Sequence, residues 1–83
     1  MLEKNIVIRR SDDHEFGLPT AVVSAASQFS SVIEIEMGEK KVNAKSMMGM
    51  TYMMLIDGDE VTLRCSGKDE EKAIEYVEKV LTK

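Results

Sequence analysis

Three observations in the sequence predict a small α+β domain, an open-faced sandwich with helices covering one side of an antiparallel sheet. Stretches with a two-residue apolar repeat alternate with helical stripes, in the order β-α-β-β-α-β-α. The strand candidates carry polar residues on one face, as in a sheet covered on a single side, and such sheets are antiparallel. The chain has 83 residues, enough for one small core and not two, so a single domain over 1–83 is expected.

The run Asn5-Ile6-Val7-Ile8-Arg9 reads as the first strand, with Ile6 and Ile8 inward. A polar loop, Ser11-Asp12-Asp13-His14-Glu15-Phe16-Gly17, carries the only histidine. Pro19 suits the first turn of a helix, where its missing N–H leaves nothing unsatisfied. Val22, Ala25, Ala26 and Phe29 then fall on one helical stripe that ends by Ser30-Ser31. Residues 32–37 alternate as a second strand, with Ile33, Ile35 and Met37 opposite Glu34 and Glu36. Gly38-Glu39 supplies a two-residue hairpin turn with glycine first, the position that needs a positive φ.

Residues 41–44 alternate as a third strand, and Ser46 stands as the N-cap of a second helix. Five of the seven methionines fall between Met47 and Met54. Met50 and Leu55 are the core choices there, and at least half of the five methionines are expected to fill core space. Asp57-Gly58 marks a turn, and residues 60–65 form a fourth strand with Val61, Leu63 and Cys65 inward. Gly67-Lys68-Asp69 opens the last helix, with Asp69 as its cap and Glu70 and Glu71 on the side the dipole favours. Ala73, Val77, Val80 and Leu81, with Ile74, make its buried stripe. Ile6, Ile8, Phe29, Ile33, Ile35, Val61, Leu63, Ile74, Val77 and Leu81 are expected to share one core.

A formal net charge of −4, from 15 acidic and 11 basic residues, argues against a nucleic-acid face, which needs clustered positive charge. No apolar run approaches 18 residues and no signal-peptide pattern is present, so a soluble cytoplasmic protein without membrane insertion is expected. One cysteine, Cys65, cannot close an internal disulfide, and its strand phase makes it inert core. No Cys/His spacing suits a metal, and no cofactor is expected.

The segment Lys40-Lys41-Val42-Asn43-Ala44-Lys45-Ser46-Met47-Met48-Gly49 closely follows the signature G-K-x-V-N-x-K-S-[IM]-M-G. On these residues the chain resembles the HPr family of the bacterial sugar phosphotransferase system, including its regulatory, Crh-like members. The alignment runs without a gap from Ile6-Val7-Ile8 to the closing helix. It implies a strand order of 1-4-2-3 and three helices on one face of the sheet.

The family's phosphoryl group rides on a histidine in the motif G-[IL]-H-A-R-P-[AT], at a helix N-terminus where free N–H groups hold an anion. The gap-free alignment places Glu15 at the histidine, Gly17 at the arginine that neutralises the phosphate, and Leu18 at the proline. His14 lies one residue early among Asp12, Asp13 and Glu15, carboxylates that favour the non-nucleophilic imidazolium. It is either a solvated loop histidine or a displaced phosphoacceptor. Glu15 complements a helix start or, alternatively, stands as a fixed mimic of a phosphorylated side chain.

Ser46 matches the serine that a dedicated HPr kinase/phosphorylase modifies in Gram-positive relatives; the alternative is that it only caps. Met47 and Met48, with Thr51 and Thr20, are the partner-facing positions that the resemblance implies. Methionine is flexible and polarizable, and so accepts partners of several shapes. After Gly49 the family usually continues Met-Ser-Leu, a pattern from which Thr51-Tyr52-Met53 departs.

The expected function is that of a regulatory or binding member of the phosphoenolpyruvate-dependent system, not a stand-alone catalyst. It would lack histidine phosphotransfer and be modulated at Ser46, with HPr kinase/phosphorylase, enzyme I or a transcriptional regulator as protein partners. Two alternatives stand beside it: a paralogue with partners outside sugar transport, and an active phosphocarrier using His14.

Overall fold

The computed structural model describes residues 1–9 and 17–82. Among them, the elements run β1 (Leu2–Val7), α1 (Leu18–Ala26), β2 (Val32–Met37), β3 (Lys40–Asn43), α2 (Met47–Met53), β4 (Glu60–Ser66) and α3 (Glu70–Thr82). The strands form one antiparallel sheet in the order β1-β4-β2-β3. The α+β class, the element order and the strand order are those expected.

Register follows from burial. Ile6 opposes Val61, Ile33 opposes Cys65 and Ile35 opposes Leu63. All six point to the helical side and are at most 4% exposed. A slip of one residue would turn each of them to water, so the apolar phase sets the pairing. The helices cover this face: α3 lies over β1 and β4, α1 packs on α3 and α2, and α2 rests on β3. Leu18, Val22, Met50, Met53, Ile74, Val77 and Leu81 fill the space between.

The other face is open and held by polar pairs across the strands. Arg64 Nε donates to Glu3 at 2.7 Å and its Nη1 to Glu36 at 2.5 Å, while Thr62 Oγ1 donates to Asn5 at 3.0 Å. Lys4, on the edge strand β1, pairs with Glu78 of α3 at 2.7 Å, and a charge on an edge strand discourages pairing with other chains. The β2–β3 turn is Gly38-Glu39, with Gly38 at φ 62 and Met37 paired to Lys40.

Four sequence expectations change. β1 runs from Leu2 to Val7 and not over residues 5–9, because its ladder with β4 extends back to Leu2 opposite Cys65. Ile8 lies beyond the strand yet is buried, and its N–H and C=O bond to Asp59 and Gly58. α1 stops at Ala26; the Phe29 N–H bonds Ala26 O at 3.2 Å, a tightened last turn. Phe29 is therefore half-buried and meets Tyr76 in a tilted ring contact, centroid to centroid 5.8 Å at 60°. Of the five clustered methionines only Met50 and Met53 are buried, so fewer than half fill core.

The fourth change concerns Asp69. Its carboxylate does not cap α3 but reaches across to the segment before β2. It accepts the Ser30 N–H at 2.9 Å, the Ser31 N–H at 3.0 Å and the Ser31 hydroxyl. Glu70, the first residue of α3, accepts the N–H of Gly67 in the turn before the helix at 3.0 Å. The Ser31 hydroxyl, with the Ser30 and Ser31 amides, holds the Asp69 carboxyl down to about 2 from 3.8. A carboxylate with a lowered folded-state pKa stabilises the fold above its ordinary pKa, and the contribution is lost as pH falls towards the lowered value. Wild type is thus expected to exceed Asp69→Asn in melting temperature at neutral pH. The gap should close between pH 3.8 and about 2; a gap constant across that range would refute the coupling.

Candidate interaction site

The site grows from the β3–α2 junction. Asn43 Oδ1 accepts the Lys45 N–H at 2.8 Å, an Asx turn that bends the chain off the strand. The Ser46 N–H donates to Asn43 O at 2.9 Å. Ser46 itself is extended, at φ −97 and ψ 118, and its Oγ accepts the Gly49 N–H at 3.1 Å. It is an N-cap, satisfying one of the donors that a helix start leaves free. A Cβ at position 49 would stand 3.1 Å from that of Val42, so glycine there lets α2 lie close on β3. Lys45 Nζ donates to Phe29 O at 2.7 Å.

α2 buries Met50 and Met53 and turns Met47 and Met48 outward, 45% and 85% exposed. Met47, Met48, Thr51 and Tyr52 line one shallow, mainly apolar hollow. Thr51 Oγ1 is tied back to Met47 O at 2.8 Å, and Lys40 Nζ lies 5.0 Å from the Tyr52 ring centroid, a cation–π contact. Ser46, Met47, Met48 and Thr51 thus fall on one helix and its cap. Thr20 is half-buried on α1 and is not part of that hollow.

A second concavity was not evident from sequence. Leu18 and Pro19 of α1 face Met50, Met54, Leu55 and Ile56 across a cleft of about 240 Å³. Met54 is 73% exposed and caps α2 in the left-handed region, at φ 50 and ψ 55, a conformation that costs a side-chain-bearing residue energy. With no glycine at that point, the local sequence carries no signal for it.

His14 and Glu15 lie outside the described residues. Gly17 is the α1 N-cap and makes no side-chain cap bond, while Leu18 is fully buried. Cys65 is buried and its thiol is pushed up to about 11, mainly by desolvation, so it stays protonated and unreactive at neutral pH.

Comparison with known proteins agrees with this architecture. The family model described as "PTS HPr component phosphorylation site" matches residues 2–83. The HPr-like protein Crh of Bacillus subtilis is 35% identical over 75 residues, 90% of this chain and 88% of that one. The crystal structure of HPr-C-His from Thermoanaerobacter tengcongensis superposes with a TM-score of 0.86 at 38% identity, covering 98% of this chain and 91% of that one. The solution structure of Crh, described as the Bacillus subtilis catabolite repression HPr, gives 0.70 at 30% identity over 99% of this chain and 98% of that one. The chain belongs to the HPr family, the phosphocarriers of the sugar phosphotransferase system.

Proposed function

We propose that this single HPr-like domain is a regulatory, Crh-like member of the family, cytoplasmic and not itself a catalyst. It acts by docking on protein partners through α2, is modulated at Ser46, and carries no phosphoryl group on histidine. The observation that carries the reading is Ser46 as N-cap of a helix whose next two residues, Met47 and Met48, are exposed. A phosphate there adds about two negative charges beside free N–H groups. The helix therefore holds, while the adjoining apolar surface must now be approached past a hydrated dianion. Partners that use the methionines alone bind less well, and partners offering arginine near Ser46 bind better.

The loss of histidine transfer is supported at two aligned positions. Gly17 has no side chain with which to neutralise a phosphate, and Leu18 is spent in the core. An HPr kinase/phosphorylase is the first partner proposed, with enzyme I or a transcriptional regulator as further candidates.

The test has two arms. Kinase labelling is expected on wild type and absent from Ser46→Ala, with a melting temperature after labelling equal to or above that before. Labelling that persists in Ser46→Ala removes the site, and a melting point lowered by several degrees removes the mechanism. Incubation with phosphoenolpyruvate and enzyme I is expected to leave no acid-labile phosphate. Stoichiometric label abolished by His14→Ala would instead make the protein a working carrier.

A further inference from the structure

The five methionines of residues 47–54 divide sharply. Met50 and Met53 are 1% and 0% exposed, whereas Met48, Met54 and Met47 are 85%, 73% and 45% exposed. The exposed three are not scattered. Met47 and Met48 belong to the hollow with Thr51 and Tyr52, and Met54 stands at the lip of the cleft with Leu18, Pro19, Leu55 and Ile56. The hollow and the cleft thus each have an exposed thioether in their wall. The same helix is anchored by Met50 and Met53, whose side chains expose almost no surface, although Met50 also lines the cleft.

We propose that the exposed methionines of α2 are a reversible oxidation site, with a hydroperoxide as co-substrate, that switches this surface from apolar to polar while the fold persists. A sulfur lone pair of Met48 or Met54 attacks the outer peroxide oxygen and the O–O bond breaks. One oxygen becomes the sulfoxide, and the other leaves as water or an alcohol. Sulfur gives up two electrons and the peroxide gains them. Two thiols of a methionine sulfoxide reductase system reverse the step, yielding thioether, disulfide and water. The sulfoxide is a strong hydrogen-bond acceptor that a partner's apolar face must desolvate without compensation. Because neither residue contributes buried core, the modification leaves α2 in place. The consequence for docking rests on the function proposed above; the site and its selectivity do not.

The test treats the full chain with hydrogen peroxide and maps added oxygen by peptide mass spectrometry over time. Met48 and Met54 are expected to react about tenfold or more faster than Met50 and Met53, with an unchanged melting temperature. Retention on a hydrophobic-interaction column should fall, and should return after incubation with a reductase and dithiothreitol. A Met48→Leu, Met54→Leu variant, which still oxidises at the exposed Met1 and Met47, should show a smaller loss of retention. Equal rates at all five residues, a lowered melting temperature, or the same retention loss in the double variant would each overturn the proposal. HPr-kinase labelling at Ser46 is then compared before oxidation, after it and after repair. A several-fold drop that repair restores supports the switch, and labelling indifferent to oxidation overturns its docking role. Absence of labelling on untreated protein counts against the regulatory reading instead, leaving mapping and retention to decide the oxidation site.

Discussion

Replacing Leu63 by alanine will lower the unfolding free energy by about 2–5 kcal/mol, the range for a fully buried leucine whose cavity cannot collapse. Leu63 is 0% exposed on β4, a strand flanked on both sides, and opposes Ile35 across the sheet. Sheet neighbours on two sides and helices above leave the surrounding side chains little freedom to close the space. Urea unfolding of wild type and variant measures the difference. A loss under about 1 kcal/mol would show that position 63 does not support the core in this way.

A substitution of the opposite kind, adding one carbon at Gly67, is expected to cost about 2–4 kcal/mol through a strained backbone and a steric clash together. Gly67 sits at φ +153, and a Cβ there would lie 2.6 Å from Ser31 Oγ and 2.8 Å from Ser31 Cα. Ser31 has no room to yield, because the Asp69 carboxylate grips both its amide and its hydroxyl. Gly38→Ala is the control: it also has a positive φ, at +62, but nothing lies within 4 Å of the added carbon. That variant should lose only the conformational part, about 1 kcal/mol. Equal losses in the two would mean that contact with Ser31 contributes nothing.

These positions show why some features were legible in the chain and others were not. Strand phases and the Ser46 cap are local: two-residue alternation puts Ile33, Ile35, Val61, Leu63 and Cys65 inward, and each is buried. The division between Met53 and Met54 is not local in the same way. It depends on α2 ending at Met53 and the backbone reversing hand at Met54, with no glycine to announce the change. Asp69 failed as a cap for a similar reason. A cap was the nearest use for its carboxylate, but two serine amides some 38 positions earlier are brought to it by the fold. The order 1-4-2-3 came with the family resemblance, since no periodicity says which distant strands will meet. At the candidate site, the Ser46 cap is a local feature and Met47, Met48 and Thr51 came with the family resemblance, whereas the cleft beside Met54 needs two elements to exist.

The inner position of β4 has a consequence for how the chain reaches this state. β4 lies between β1 and β2, and both precede it in the sequence. The β2–β3 hairpin closes over two residues and can form early, whereas Glu3 meets Arg64 across 61 positions. Long closures are slow because the chain gives up entropy before any contact rewards it. On the ribosome, β1 therefore emerges first and waits longest, with Ile6 and Ile8 uncovered until β4 arrives. Lys4, which meets Glu78 only once α3 has docked, keeps a charge on that waiting strand throughout. Assembly is thus gated by the second half of the chain, and β4 is the piece that joins two separately made parts into one sheet.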